Sequence, residues 1–538
     1  MTPPLLFLLT AAWIATVPNA VTVLAFAHSR SAGNGLGLFA FALGGWLFMV
    51  FLVYSMLLAV GLLARDRVAR TICVVAVVAA SVLSYFTTYF GVQFDRTMFA
   101  NIVQTNTVEA VELLSPRLLI WVVVAGVLPA IAVWRLPMDR GGRLRQAGVE
   151  LAIALALLAS TGALVYAQYS RYASAARNRE ISFGTVAPLN FVAGTVHFAA
   201  TEWAANVVRA PRGKDAHAAY AIPKARLLVL LLGETARAKN QGLNGYSRDT
   251  TPRMRAAGGF YFPDTEACGT ATTISVPCIF SGLSKDEFSL VKGRENETLI
   301  DVVKRSGARV LWLDNDSGCK DTCTAAEYHD LTGSNDPRFC PEPADCHDDM
   351  LLDGLEDRIR ADRRDTLVVL HLKGSHGPAY YRRYPPAFER FTPVCRSADL
   401  AGCEADAIVN AYDNSILYTD HIVGEVIEIL RRQADRYATA LLYVSDHGES
   451  LGEAGLFLHG LPNAVAPREQ TRVPMYAWVS PQFVQLEGWN VACMRRQTAI
   501  ARSHDNVYAT VLGFMEVESM EYKAALDLFD PCDPPQRR

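Results

Sequence analysis

A surplus of either charge is missing from this 538-residue sequence: 51 Lys and Arg stand against 54 Asp and Glu, a formal net charge of −3. Binding to a phosphate backbone draws on clustered excess cation, so nucleic acid is excluded as a partner. No C-x-x-C pair occurs among the 11 cysteines and their spacings do not repeat as structural zinc sites do, which argues against a zinc module or redox motif built on them. The N-terminus lacks the basic n-region of a cleaved secretory signal, and its first apolar run is expected to be retained. Internal repeats and low-complexity tracts are also missing. The cluster Gly33–Gly37 has neither the strand before it nor the helix after it that a nucleotide-binding loop requires, and reads as a turn.

What is there is apolar. Hydrophobic residues make up 51% of the chain and the mean hydropathy is +0.15, beyond an ordinary soluble protein. The apolar runs are concentrated in residues 1–168, where five stretches are long enough to span a bilayer core of ~20 residues. They are Leu5–Ala27, Leu36–Leu63, Val68–Phe90, Leu118–Trp134 and Val149–Gln168. Arginine-rich loops hold Arg65, Arg67 and Arg70, and then Arg135, Arg140, Arg143 and Arg145. Positive loops stay in the cytoplasm, so everything after Gln168 is expected outside.

The cysteines agree with that topology. Cys73 alone lies in the membrane region, and the other ten fall between Cys268 and Cys532. Pairs Cys268/Cys278, Cys319/Cys323, Cys340/Cys346 and Cys395/Cys403 would close short loops, leaving Cys493 and Cys532 as a fifth. Disulfides imply an oxidising compartment.

Three segments follow from these patterns. Residues 1–168 read as a five-helix transmembrane domain, with an external amphipathic helix at about 91–117 resting on the membrane surface. On that helix Asn101, Thr105 and Glu109 recur every fourth residue and line one face. Residues 169–222 read as a bridge of short helices, interrupted by Pro188 and Pro211 and ended by Pro223. Residues 223–538 alternate helical patterns with continuous apolar runs such as "ARLLVLLLG", "ARVLWLD", "DTLVVLHLKG" and "ATALLYVSDHG". That alternation predicts an α/β domain with a mostly parallel sheet, whose chemistry collects beyond the carboxyl ends of the strands.

The residues at those ends carry chemistry. One run stops at Gly233-Glu234-Thr235, another at Asp446-His447-Gly448-Glu449. Glu234, Asp446 and His447 would give zinc three protein ligands and leave one position open, the pattern of a catalytic site. In "EACGTATTISVPCIFSG" a hydroxyl ahead of a helix can serve as nucleophile, with the helix N-terminus favouring a phosphate placed on it. Spacing alone does not choose among Thr270, Thr272 and Thr273. His376 and His459 offer further ligands for a metal or a phosphate oxygen.

Taken together, "NIVQTNTVE", "GETAR", "CGTATTISVPC", "LDNDSGCK", "HGPAYYRRYP", "FTPVC" and "SDHGESLGE…FLHG" resemble the lipid A phosphoethanolamine transferases of the alkaline phosphatase and sulfatase superfamily. The resemblance implies an alkaline-phosphatase-like (sulfatase-like) periplasmic domain carried on a helical transmembrane domain in the bacterial inner membrane. It implies zinc held by Glu234, Thr272, Asp446 and His447, with Thr272 as nucleophile. Lys320, His376, Glu449 and His459 then match the phosphoethanolamine pocket, and Asn101, Thr105 and Glu109 match the loop that meets the lipid donor. Phosphatidylethanolamine is the implied donor and lipid A the acceptor, with the chain acting as a monomer. The lipoteichoic acid synthases, which transfer phosphoglycerol, share this plan, and core heptose or Kdo are alternative acceptors. Asp316 departs from the pattern, since relatives often carry Asn there; the added carboxylate would attract an ammonium or weaken phosphate binding.

The topology makes a prediction. A reporter active only in the periplasm is expected to work when fused after Gln168 and to stay silent when fused at Arg67 or Arg143. An active fusion at Arg143 contradicts the five-span reading.

Overall fold

The run Ala225–Gly233 has no polar side chain except Arg226, and it forms β1, the strand around which the C-terminal region is organised. Its side chains alternate between two cores. Leu228, Leu230 and Leu232 pack with Val276, Ile279 and Phe280 of the helix Thr272–Ser281. Leu227, Val229 and Leu231 pack with Ile422, Val423 and Val426 of the helix Ala405–Arg432. Burying each such side chain is worth about 1.5–3 kcal/mol. A strand covered on both faces therefore has to be apolar throughout.

The computed structural model describes residues 2–29, 35–61, 66–94, 96–105, 107–137, 142–177, 185–203, 209–219, 224–342 and 345–533. Gly33, Arg65, Arg140 and Pro223, used in the sequence reading, lie outside them. The chain divides into two compact units, one of residues 1–99 and 114–199, the other of residues 100–113 and 200–538.

In the second unit, the further strands of the central sheet are β2 (Phe260–Glu266), β3 (Arg309–Asp314), β4 (Glu327–Asp330), β5 (Thr366–His371), β6 (Tyr437–Ser445), β7 (Arg472–Val479) and β8 (Arg502–Ser503). Among the described residues they form an eight-stranded sheet of order β8-β2-β7-β6-β1-β5-β3-β4. β7 runs antiparallel to both β2 and β6. The other pairings are parallel. The sheet is thus mixed and mostly parallel, and the sequence reading missed the antiparallel β2–β7 pair. Pro474 explains why: it interrupts the strand pattern in sequence, and in the sheet it sits where the β7–β2 register shifts, between Val473 and Met475.

In the first unit, four helices among the described residues are long and apolar enough to cross a membrane: Leu36–Ala59, Arg67–Phe90, Pro116–Arg135 and Arg145–Ala167. In place of a continuous first span there is a bent pair, Pro3–Thr16 and Ala20–His28, with an angle of 64°. Pro18 lies at the break, where its missing N–H cannot continue the helix. The third of the four helices contains a π-helical stretch, Val122–Val127, just ahead of Pro129, a common response of a helix to local strain.

The single surface helix expected at about 91–117 is instead two short helices, Arg96–Gln104 and Thr107–Glu112. Thr105 turns both its backbone N–H and its hydroxyl onto Asn101 O, each at 2.8 Å. Such back-bonding competes with regular helix continuation. The helix that carries Asn101 ends at Gln104, ahead of the one that carries Glu109.

All ten cysteines beyond the membrane region are paired, as Cys268–Cys278, Cys319–Cys323, Cys340–Cys346, Cys395–Cys403 and Cys493–Cys532. Cys73 is the free cysteine among the described residues. Thiol titration of the denatured chain is therefore expected to find about one thiol before reduction and about eleven after it. Several free thiols before reduction contradict the pairing.

Candidate metal and nucleophile site

The register Gly233↔Ser445 ends β1 and β6 at the same level. Glu234 and Asp446-His447 then emerge side by side, all three fully buried. The chain can turn there only because Thr235 adopts φ +59°, a conformation that a β-branched residue rarely takes. Its neighbours hold it: Thr235 N donates to Asp446 Oδ1 at 3.1 Å, and its hydroxyl donates to Glu234 Oε1. Tyr412 OH donates to Thr235 O at 2.7 Å and accepts from Arg237 N at 2.9 Å. Gly374 packs against the same turn at φ +52°, where an added Cβ would stand 2.7 Å from Glu234 O.

The helix Thr272–Ser281 delivers the hydroxyl. Thr272 Oγ1 donates to Glu234 Oε2 at 3.1 Å and lies 3.3 Å from His447 Nε2. His447 Nε2 is 3.2 Å from Asp446 Oδ2 and 3.4 Å from Glu234 Oε1. The other threonines of the turn are engaged elsewhere. Thr270 donates to Leu461 O, and Thr273 donates to Asn101 Oδ1. The disulfide Cys268–Cys278 ties the turn to the helix.

Several features of this cluster fit a divalent zinc-like cation. A tetrahedron of donors bound at about 2.0–2.1 Å has edges of about 3.3–3.4 Å, and the four separations above, which engage Glu234 through both of its oxygens, are close to that spacing. Asp446 Oδ2 is buried without a hydrogen-bond partner. His447 Nδ1 is 2.9 Å from Gly448 O, so it carries the proton and leaves the Nε2 lone pair facing the other donors. Burial first, then the charges of Asp446 and Asp316, push the Glu234 carboxyl well above the usual carboxylate range. Burial, with His459 beside it, holds the His447 imidazole well below its usual value, and thus neutral.

Around this core the remaining expected residues are placed unevenly. The His459 and His447 rings are 4.2 Å apart between centroids, and His376 lies 6.1 Å from His459. Burial lowers His376 to about 4. Glu449 is fully buried, accepting from Tyr380 OH and lying 2.8 Å from His459 Nδ1. Both of its oxygens are thus engaged by protein groups, and it orients His459. Lys320, at φ +49°, donates to Ser317 O at 2.7 Å and makes no hydrogen bond to the Thr272 cluster among the described residues. Asn101 reaches the cluster's edge through Thr273, while Thr105 is turned back on its own helix. The Glu109 side chain lies outside the described residues.

The sequence reading did not single out Thr235, Tyr380, Tyr412, Glu112 or His371. Glu112 accepts from Arg383, whose Nε donates to His376 O at 2.7 Å and whose Nη1 donates to Asp345 at 2.8 Å. Glu112 sits three residues after Glu109 in the same acidic stretch, and that spacing was the available signal. Nothing in the local pattern marks the tyrosines.

A buried hydroxyl and a metal-ready donor set at the strand ends of a mixed, mostly parallel sheet define a sulfatase-like α/β domain. A family model described as Sulfatase matches residues 226–517, and one described as Phosphoethanolamine transferase EptA/EptB matches residues 49–203. Phosphoethanolamine transferase EptA of Salmonella typhimurium is 38% identical over 473 residues, covering 86% of this chain and 85% of that protein. Phosphatidylethanolamine transferase Mcr-1 of Escherichia coli is 35% identical over 494 residues, with 88% of each covered. The structure of lipooligosaccharide phosphoethanolamine transferase A from Neisseria meningitidis matches with a TM-score of 0.92 at 33% identity, covering 98% of this chain and 99% of that one. This chain belongs to the phosphoethanolamine transferase family.

Tyr412→Phe tests the clamp on the strained turn. Losing the hydroxyl strands Thr235 O and Arg237 N, both buried, and is expected to destabilise the second unit by about 1–3 kcal/mol. The readout is a lower thermal midpoint. An unchanged midpoint contradicts the clamp.

Proposed function

We propose that this chain transfers phosphoethanolamine from phosphatidylethanolamine to a phosphate of lipid A, from the periplasmic side of a bacterial inner membrane, through a covalent adduct on Thr272. The observation that carries this reading is the Thr272 hydroxyl, held 3.1 Å from Glu234 and 3.3 Å from His447 at the start of a helix. Family membership supports the reaction class, and the four apolar helices support a membrane location.

Glu234, Thr272, Asp446 and His447 would hold zinc. Bound there, zinc lowers the pKa of the threonine hydroxyl and offsets charge on the phosphoryl oxygens. Thr272 Oγ1 forms a bond to phosphorus, the phosphoester bond to diacylglycerol breaks, and the leaving alcohol takes up the proton that the hydroxyl gives up. In the second half an oxygen of a protonated lipid A phosphate monoester attacks the same phosphorus, the bond from phosphorus to Thr272 Oγ1 breaks, and Thr272 takes up the proton that the attacking phosphate gives up. The N-terminal end of the helix Thr272–Ser281 favours the phosphoryl group on its first residue. His459, oriented by Glu449, and half-buried His376 line the side of the cluster where phosphoryl oxygens and the headgroup would be received. Lys320 supplies a cation at the pocket's outer edge.

Purified enzyme given phosphatidylethanolamine without acceptor is expected to accumulate a phosphoethanolamine adduct on the Thr272 peptide, which lipid A then discharges. Thr272→Ala is expected to abolish both adduct and transfer, and Thr270→Ala to retain them. An adduct that survives Thr272→Ala, or discharge by water alone, overturns the mechanism. Asp446→Ala or His447→Ala is expected to release the metal and reduce transfer by several orders of magnitude while the disulfide-linked fold persists; full activity in either variant contradicts the ligand assignment.

A further inference from the structure

Asp316 does not face an open headgroup pocket. It is buried between Glu234 and His371, at the ends of adjoining strands. β3 ends at Asp314 and β5 at His371, paired directly in the register Asp314↔His371, and His371 is also level with Leu232 of β1. Glu234 leaves β1 two residues later. The sheet therefore gathers a second set of donors beside the first.

We infer that Glu234, Asp316 and His371 form a second binding site for a divalent first-row metal ion, adjacent to the Glu234/Asp446/His447 site and sharing Glu234 with it. The three ligand atoms lie within 4.8 Å of one another, and all three residues are buried. Two of those residues present atoms without any protein hydrogen-bond partner: His371 Nε2 and Asp316 Oδ1. Buried polar atoms are satisfied in nearly all native structures, so two orphans on residues of one donor set call for a ligand.

The surroundings of His371 match those of a metal-bound histidine. Its Nδ1 is 3.0 Å from Asp314 Oδ2, so Nδ1–H donates to Asp314 and the Nε2 lone pair is left to coordinate, the carboxylate–histidine–metal arrangement. Asp314 is itself fixed, accepting from Trp312 Nε1 at 2.9 Å and from the backbone N–H groups of Asp316 and Gly318 at 3.0 and 3.1 Å. Charge balance points the same way. Glu234, Asp314, Asp316 and Asp446 are four buried carboxylates converging on this end of the sheet, and one dication does not neutralise them. The combination of carboxylate with imidazole selects zinc or manganese over calcium or magnesium, which prefer all-oxygen shells. Paired metals are a recurrent way of stabilising a transferring phosphoryl group. Without a metal the same residues are a buried cluster, His371 lying 3.0 Å from Asp314 Oδ2 and 3.7 Å from Asp316 Oδ2.

This inference shares one ligand with the site of the proposed reaction and does not depend on the reaction itself, so its test counts metal alone. The full chain, purified in detergent, is stripped with a chelator, reloaded with zinc and freed of excess, and its zinc is measured by elemental mass spectrometry. About two ions per chain are expected for the wild type, and about one for Asp316→Asn and for His371→Gln, which leave Asp446 and His447 in place. Reloaded with manganese, the wild type is expected to give the electron paramagnetic resonance spectrum of a spin-coupled pair, and either variant that of a single ion. A wild type that takes up one ion or none overturns the second site whatever the variants do. So does a count of two that persists in both variants.

Discussion

Glu234 and Asp446 leave neighbouring parallel strands at the same level, both fully buried, and the register between β1 and β6 obliges their carboxylates to share one small space. Two like charges about 4 Å apart repel by roughly 4 kcal/mol even at an effective dielectric of 20, a large fraction of the ~5–15 kcal/mol that stabilises a domain. No fold keeps both of them charged without something that answers the repulsion, and burial together with the Asp446 charge pushes the Glu234 carboxyl well above the usual carboxylate range. The neutral imidazole of His447 and the hydroxyl of Thr272 bring lone pairs to the same point rather than positive charge. A cation is what this arrangement of donors accommodates, and the chemistry of the site follows from that.

Much of the second unit can be understood as holding those donors still. Thr235 is kept in a left-handed turn by Asp446, Glu234 and Tyr412. His504 bridges Cys268 N at 3.1 Å and Ser445 O at 2.9 Å, joining the turn ahead of Thr272 to the end of β6. Asp348 accepts from Asn315 Nδ2 and from the backbone N–H groups of Lys373 and Gly374, bracing the loop that follows β5. The disulfides limit the freedom of the loops between these elements. A site that has to place phosphorus within reach of one hydroxyl gains from such preorganisation.

The parts legible in the sequence were those with a one-dimensional signature. Continuous apolar runs located β1, β3, β5 and β6 because both faces of each are buried, and the residues closing those runs were the donors themselves. Cysteine spacing gave the disulfide partners, since short loops leave few ways to pair. Where the signal depended on tertiary contact it failed. β7 was hidden by Pro474, tolerated only at a bulge, and β2 by Pro263 together with its mixed polar pattern. The helix around Asn101 was read as continuous because periodicity does not show that Thr105 bonds back to the chain. His371 was lost inside "LVVLHLKG", where one polar residue in an apolar run has no visible partner. Its partners, Asp314 and Asp316, come from a strand more than fifty residues earlier. Among Thr270, Thr272 and Thr273, residue type and spacing gave no choice. In three dimensions their hydroxyls have three different partners.

The account treats the transferred group as an intact headgroup that passes over one threonine. The direct test reconstitutes the wild-type chain in vesicles with lipid A and phosphatidylethanolamine labelled at both the phosphorus and the ethanolamine carbon. Both labels are predicted to arrive on lipid A in the ratio they had in the donor, with one diacylglycerol released for each transfer. Arrival of one label without the other, or labelling of lipid A without diacylglycerol, would contradict it.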